Sequence, residues 1–138
     1  MPVIFSRACE YAIQELVEMA RHHEKKFWRI QDLAERTNTP APFLAKTFQT
    51  LVREQILSSA KGRGGGFSFA VPTNNISLMD IVKIIDGSSL SQKCALGFPE
   101  CGDDTPCPIH EQWGPIRDMI IETLSRKTLD KFAQKRGY

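Results

Sequence analysis

No stretch of this sequence approaches the roughly twenty consecutive apolar residues that a membrane-spanning helix needs. Its opening, Met1-Pro2-Val3-Ile4-Phe5-Ser6, has neither the basic nor the apolar region of a secretory signal. A cytoplasmic protein with no membrane partner is therefore expected. Compositional extremes are missing too: 41% hydrophobic and 25% charged residues are ordinary globular values, which excludes a disordered, collagen-like or repeat chain. No nucleophile, base and orienting residue group together, so catalysis is not expected. With 138 residues the chain has room for one compact domain, or a small domain with an appended element. At that size about two-thirds of the unfolded surface is buried without help from metal or disulfide. Any cofactor would therefore serve function rather than folding.

Net charge is nearly absent, at +2, but its distribution is uneven. Between Arg36 and Met79 the basic residues Arg36, Lys46, Arg53, Lys61 and Arg63 face the single acid Glu54. This segment carries +4 and the remainder −2. A basic middle in a near-neutral chain is the electrostatic footprint of a nucleic-acid face, and equally of a solvated surface, until local structure decides between them.

Periodicity supplies that structure. Ser6 can cap a helix whose apolar positions Cys9, Ile13, Leu16 and Ala20 recur at steps of three and four. A two-turn helix follows around Ile30, Leu33 and Ala34. Thr39 before Pro40 predicts a capped third helix with the proline at its first position. There Leu44, Phe48, Leu51 and Val52 form the buried stripe. The period then shortens: Ile56–Ala60 and Phe67–Val71 are strand-like and flank Lys61-Gly62-Arg63-Gly64-Gly65-Gly66. A helix pair followed by a two-stranded hairpin is the winged form of the helix-turn-helix. Its second helix enters the major groove and its wing lies along the neighbouring backbone or minor groove. The glycine segment is no phosphate-binding loop, because it joins two strands and lacks the Gly-Lys-Ser/Thr ending. The expected DNA-binding residues are Pro42, Ala45, Lys46, Gln49 and Arg53 on the recognition helix, with Lys61, Arg63 and Gly64 in the wing. Gln49 suits adenine and Lys46 guanine or phosphate, whereas alanines offer only methyl contacts.

Downstream, Ser77 and Asp80 form a capping-box start to a helix that Gly87 stops. Residues 88–107 are loop by composition. Trp113, Ile116, Met119, Ile120, Ile121 and Leu124 then mark a helix, with Pro115 in its first turns, whose apolar face is wider than one packing surface needs. The same helix of a second copy is the simplest partner, giving a homodimer. The tail from Thr128 to Tyr138 is expected to fray. The fold class is thus mainly α with a small β-hairpin wing. It divides into a winged helix-turn-helix over 1–87, a cysteine-containing cofactor loop over 88–110, and a dimerisation helix and tail over 111–138.

Of four cysteines, Cys9 stands alone and Cys94, Cys101 and Cys107 fall within fourteen positions. Six residues separate the first pair, five the second, and two separate Cys107 from His110. Structural zinc sites carry closer pairs, with two to four intervening residues. Three thiolates from one loop with a fourth ligand from elsewhere suit an iron-sulfur cluster. The spacing leaves cluster, zinc and thiol redox chemistry open.

Phe5-Ser6-Arg7-Ala8-Cys9-Glu10-Tyr11-Ala12, the wing Lys61–Ala70, Ile76-Ser77-Leu78-Met79-Asp80-Ile81-Val82 and the three spaced cysteines together resemble the Rrf-two family of bacterial winged-helix transcription regulators, in its iron-sulfur (IscR- and NsrR-like) branch. The resemblance covers nearly the whole chain. It implies a homodimer on double-stranded DNA, with operator binding controlled by a [2Fe-2S] or [4Fe-4S] cluster that senses redox state, nitric oxide or iron supply. Cys94, Cys101 and Cys107 would be its thiolate ligands, although the first gap is one residue longer than in the best-known members. The fourth ligand is left open between His110 and Glu10, the latter supplied by the opposite subunit. Positions that carry polar base readers in IscR-like proteins are Pro42 and Ala45 here, so the operator does not carry over.

Overall fold

Ser6 opens the first helix. Its backbone is extended (φ −66°, ψ 161°) and its hydroxyl oxygen accepts from the Cys9 N–H at 3.1 Å, so α1 runs Arg7–Arg21. In the computed structural model, which describes residues 4–87, 90, 94–99 and 101–133, Ser6 also ties the chain across its length. Its N–H donates to Asp86 Oδ2 at 2.9 Å and its hydroxyl donates to Asp86 Oδ1. Cys9, Ala12, Leu16, Val17, Met19 and Ala20 form the buried face of α1.

The second helix, α2 (Ile30–Thr37), ends at Asn38 in the left-handed region (φ 56°, ψ 45°), a conformation asparagine tolerates better than most residues. The turn leads to α3 (Ala41–Arg53), which buries Leu44, Thr47, Phe48 and Leu51. Here one expectation is corrected: the N-cap is Pro40, with no side-chain cap bond, and not Thr39. The Thr39 hydroxyl is engaged elsewhere, 3.2 Å from Glu15 Oε1 and 3.0 Å from Thr37 Oγ1. Glu15 is fully buried on α1, and a buried carboxyl that lacks a donor costs more than a helix cap returns.

Strands β1 (Leu57–Ala60) and β2 (Gly66–Phe69) pair antiparallel, with Leu57 opposite Phe69 and Ala60 opposite Gly66. Trp28 adds a third element that periodicity did not reveal. It pairs with Phe67 through two backbone hydrogen bonds of 2.8 and 2.7 Å, and its indole is 1% exposed. A Cβ on Gly66 would lie 2.4 Å from the Trp28 carbonyl oxygen, and one on Gly65 2.3 Å from that of Ala60. These two glycines are therefore fixed by close backbone approach rather than by flexibility.

A 3-10 turn (Thr73–Asn75) precedes α4 (Leu78–Asp86), which starts with the full Ser77–Asp80 capping box and stops at Gly87. After the cysteine loop come α5 (His110–Arg126), with Pro115 in its second turn, and the short α6 (Asp130–Ala133). The expected frayed tail is docked as far as it is described. Leu78 N–H donates to Lys127 O at 2.9 Å, Leu129 N–H to Ile76 O at 3.0 Å, and the Leu129 side chain is fully buried. Residues 134–138 lie outside the described residues, as do Ser88, Ser89, residues 91–93 and Glu100.

The main core gathers Leu16, Leu33, Leu44, Phe48, Leu51, Leu57 and Ile81 from α1, α2, α3, β1 and α4, together with Trp28, Ile76 and Leu129 from the segments between elements, and Phe67 and Phe69 of β2 and Phe132 of α6 pack against it. A second, smaller cluster of Cys9, Met79, Val82 and Leu90 receives Ile120, Ile121 and Leu124 of α5. Burial, then the charges of Asp86 and Glu10, push the Cys9 thiol up to about 12, so it packs as an apolar group. Among the described residues no helix is long and apolar enough to cross a membrane.

Candidate functional site

The glycine and proline content of residues 94–107 lets the loop fold back on itself, and the fold brings its three cysteines together. The Sγ atoms of Cys94, Cys101 and Cys107 all lie within 4.8 Å of one another, each side chain half-buried. Backbone N–H groups point at the sulfurs: Leu96 N to Cys94 Sγ and Cys107 N to Cys101 Sγ, each at 3.4 Å. For Cys94, desolvation alone would raise the thiol. The N–H groups of Phe98 and Leu96 and the thiols of Cys107 and Cys101 outweigh it and bring the pKa down to about 7. Cys107 moves up instead, through desolvation and the neighbouring sulfurs. This is how thiols sharing one centre titrate, the first proton leaving easily and the next with difficulty.

His110 opens α5 and approaches the group at one of its members, its Nδ1 3.2 Å from Cys101 Sγ. Its other nitrogen, Nε2, is 3.2 Å from Asp103 Oδ1. A ring held at one nitrogen by a carboxylate and offering the other inward is the usual orientation of a metal-ligating histidine. Asp103 was not foreseen in the sequence; its only signal is its place seven positions before the histidine. Glu10, half-buried in the first turn of α1, is not part of the cysteine group of its own chain.

The donor set suits a soft metal centre: three thiols whose sulfurs converge, with an imidazole beside one of them. Thiolates on a single tetrahedral ion sit roughly 3.8 Å apart, given Zn–S bonds of about 2.3 Å, and the three sulfurs here lie within 4.8 Å of one another. An iron-sulfur cluster would take the same thiolates spread over more than one iron.

The second set of sequence candidates lies on the winged unit. On α3, Pro42, Lys46, Gln49 and Arg53 are exposed at steps of four, three and four, and half-buried Ala45 flanks them. This single stripe faces away from the Leu44–Phe48–Leu51 core. Phe43, in the first turn, is 39% exposed. Lys61, Arg63 and Gly64 are exposed at the hairpin tip, where Gly62 (φ 88°) and Gly64 (φ 73°) have left-handed backbone. Cations are thus presented by helix and wing from one scaffold, a shape suited to a duplex.

The architecture and the sequence both have known counterparts. The global cysteine regulator CymR of B. subtilis superposes with a TM-score of 0.81 at 22% identity, over 96% of this chain and 98% of that one. The oxidized form of Staphylococcus aureus CymR gives 0.77 at 21% identity, over all of both chains. At these identities the likeness is one of fold. In sequence, the HTH-type transcriptional regulator IscR of Vibrio vulnificus is 27% identical over 86% of this chain and 70% of its own. The Rrf2 family model, described as an iron-dependent transcriptional regulator, matches residues 5–135, and the chain belongs to this family of winged-helix transcriptional regulators.

Proposed function

We propose that this protein is a homodimeric regulator whose operator binding is controlled by an iron-sulfur cluster on Cys94, Cys101 and Cys107, responding to redox state, nitric oxide or iron supply. The convergence of the three sulfurs within 4.8 Å carries this reading. The iron dependence stated for the family supports it. His110 is the fourth ligand favoured by its approach to Cys101, and Glu10 of a second copy is the rival. When bound, the cluster supplies a redox-active and labile anchor for the loop. The chain's own contribution is mechanical: His110 is both a candidate ligand and the first residue of α5, so a change at the loop moves the start of the helix that packs on α4. Two recognition helices joined through α5 would change their spacing together, which is how a sensor can discriminate between states of an operator complex.

Duplex contacts are assigned to Pro42, Ala45, Lys46, Gln49 and Arg53 on α3 and to Lys61, Arg63 and Gly64 in the wing. Lys61→Ala and Arg63→Ala should each reduce the salt dependence of binding by about one unit of slope, if each cation meets one phosphate.

Anaerobic purification followed by visible absorption and iron and sulfide analysis tests the cofactor. Coloured protein with both elements is expected, lost in Cys101→Ala; His110→Ala and Glu10→Ala separate the two fourth ligands. The closeness of the sulfurs also favours a second reading, in which bare thiols or a single ion do the sensing. Colourless protein without iron or sulfide, whose duplex binding still responds to oxidant, would select bare thiols; zinc in stoichiometric amount would select the ion.

A further inference from the structure

The groove-facing end of α3 is unusual in what it offers a base. Its first five residues, Ala41, Pro42, Phe43, Leu44 and Ala45, carry no side-chain donor or acceptor. Lys46 and Gln49 come a turn later, and Thr47, being buried, donates its hydroxyl to the Phe43 carbonyl at 3.1 Å. Yet it is the N-terminal residues of a recognition helix that contact base edges. Resting on the DNA-binding reading above, we propose that Phe43 reads the operator through apolar contact with thymine C5-methyl groups.

Three observations carry this. Phe43 is 39% exposed, a large apolar surface left in water in the first turn of α3, at the margin of the stripe assigned to the duplex. Its ring is not free: Tyr11 of α1 meets it edge-on, with centroids 5.4 Å apart and planes at 85°. Tyr11 is itself covered by the Arg7 guanidinium, 5.7 Å from the ring centre. A braced aromatic loses little conformational freedom on docking. Finally, the thymine methyl is the one apolar feature in the major-groove pattern, and contact with phenylalanine or alanine is how it is read. Pro42 beside Phe43 adds no polar side chain to the contact.

The test uses the full-length protein as purified anaerobically and a randomised duplex pool. After selection, the enriched duplex is compared with the same duplex carrying deoxyuridine in place of every thymidine, which removes only the methyls. Wild type should bind the uridine duplex about fourfold more weakly per contacted methyl, the factor that burial of one methyl-sized group implies, and about fifteenfold for two. Phe43→Ala should lose most of the difference between the two duplexes, while Phe43→Leu keeps a larger part of it. Retained low-salt binding to bulk duplex shows that the variants are folded. Equal binding of both duplexes by wild type, or an equal uridine penalty in wild type and Phe43→Ala, overturns the proposal alone. Failure to enrich any duplex overturns the DNA-binding reading, and this one with it.

Discussion

The winged-helix unit and α5 contain apolar residues in similar measure but use them differently. In the unit, α1 buries seven residues and α3 four, and Phe48, Leu44 and Leu51 are wholly removed from water. In α5 no residue is buried. One side of it rests on α4 through Ile120, Ile121 and Leu124, while Ile116 and Met119 remain 49% and 68% exposed. The first region is finished within one chain; the second leaves its other face open to solvent. A helix of this kind holds together in a tertiary context rather than by propensity, and Pro115 removes one of its internal donors. On the proposed reading, the difference locates where a signal can act: the winged-helix unit is closely packed, and the element linking it to the cysteine loop is the one whose packing is incomplete.

The largest way to break the contrast is Phe48→Ala. It should cost about 3–5 kcal/mol, the range for truncating a fully buried phenylalanine, read by urea denaturation. Met119→Ala, in the other region, should change protomer stability by no more than about 0.5 kcal/mol. The wing offers a second contrast within the closely packed unit. Gly66→Ala drives a methyl into the Trp28 carbonyl at a left-handed φ of 134°, and should cost roughly 2–4 kcal/mol. Gly62→Ala meets no atom within 4 Å at φ 88°, and should cost only the roughly 1–2 kcal/mol of left-handed backbone. Equal losses would mean that the wing is not held by Trp28. Next in size is Met119→Glu, which places a charge on the exposed face of α5. Sedimentation should show the dimer dissociation constant raised at least tenfold, about 1.4 kcal/mol. An unchanged constant would remove α5 from the interface.

What the sequence disclosed follows the same division. Ser6, the Ser77–Asp80 box and Gly87 are local signals, and each sits where its chemistry placed it. The hairpin followed from period alone, and so did the buried stripe of α3, except that Val52 is only half-buried and Thr47 takes a buried place instead. Trp28 was invisible because its pairing with Phe67 spans the helix pair and leaves no repeat. Leu129 was missed because one buried leucine in a basic tail has no period. Thr39 misled because a hydroxyl before proline looks like a cap whether or not a carboxyl lies within reach, and Glu15 is supplied by a helix 24 positions earlier. At the cysteine loop, spacing singled out the three cysteines but gave no distances, and the placement of Asp103 beside His110 depends on the loop's fold.

That buried carboxyl gives the smallest effect, and it tests whether the winged unit is as complete as its core suggests. Glu15 Oε1 accepts from Thr39, while Oε2 has no partner among the described residues. Burial pushes its pKa above the ordinary 4.5; Thr37 and Thr39 pull it partly back, and the Glu18 charge adds to the rise. Below pH 4.5 both folded and unfolded chains hold the proton, and Glu15 carries no charge penalty. As pH rises toward the folded-state value the unfolded chain releases its proton first, so the folded state loses relative stability, and above that value the loss is constant. Glu15→Gln keeps the acceptor for Thr39 and removes the titration. Its urea midpoint relative to wild type should therefore climb from pH 4.5 upward and then level off. Met119→Ala, far from any buried charge, should track wild type at every pH. Parallel curves for Glu15→Gln and wild type would mean that water reaches the carboxyl, and that the turn between α2 and α3 is looser than the core around it.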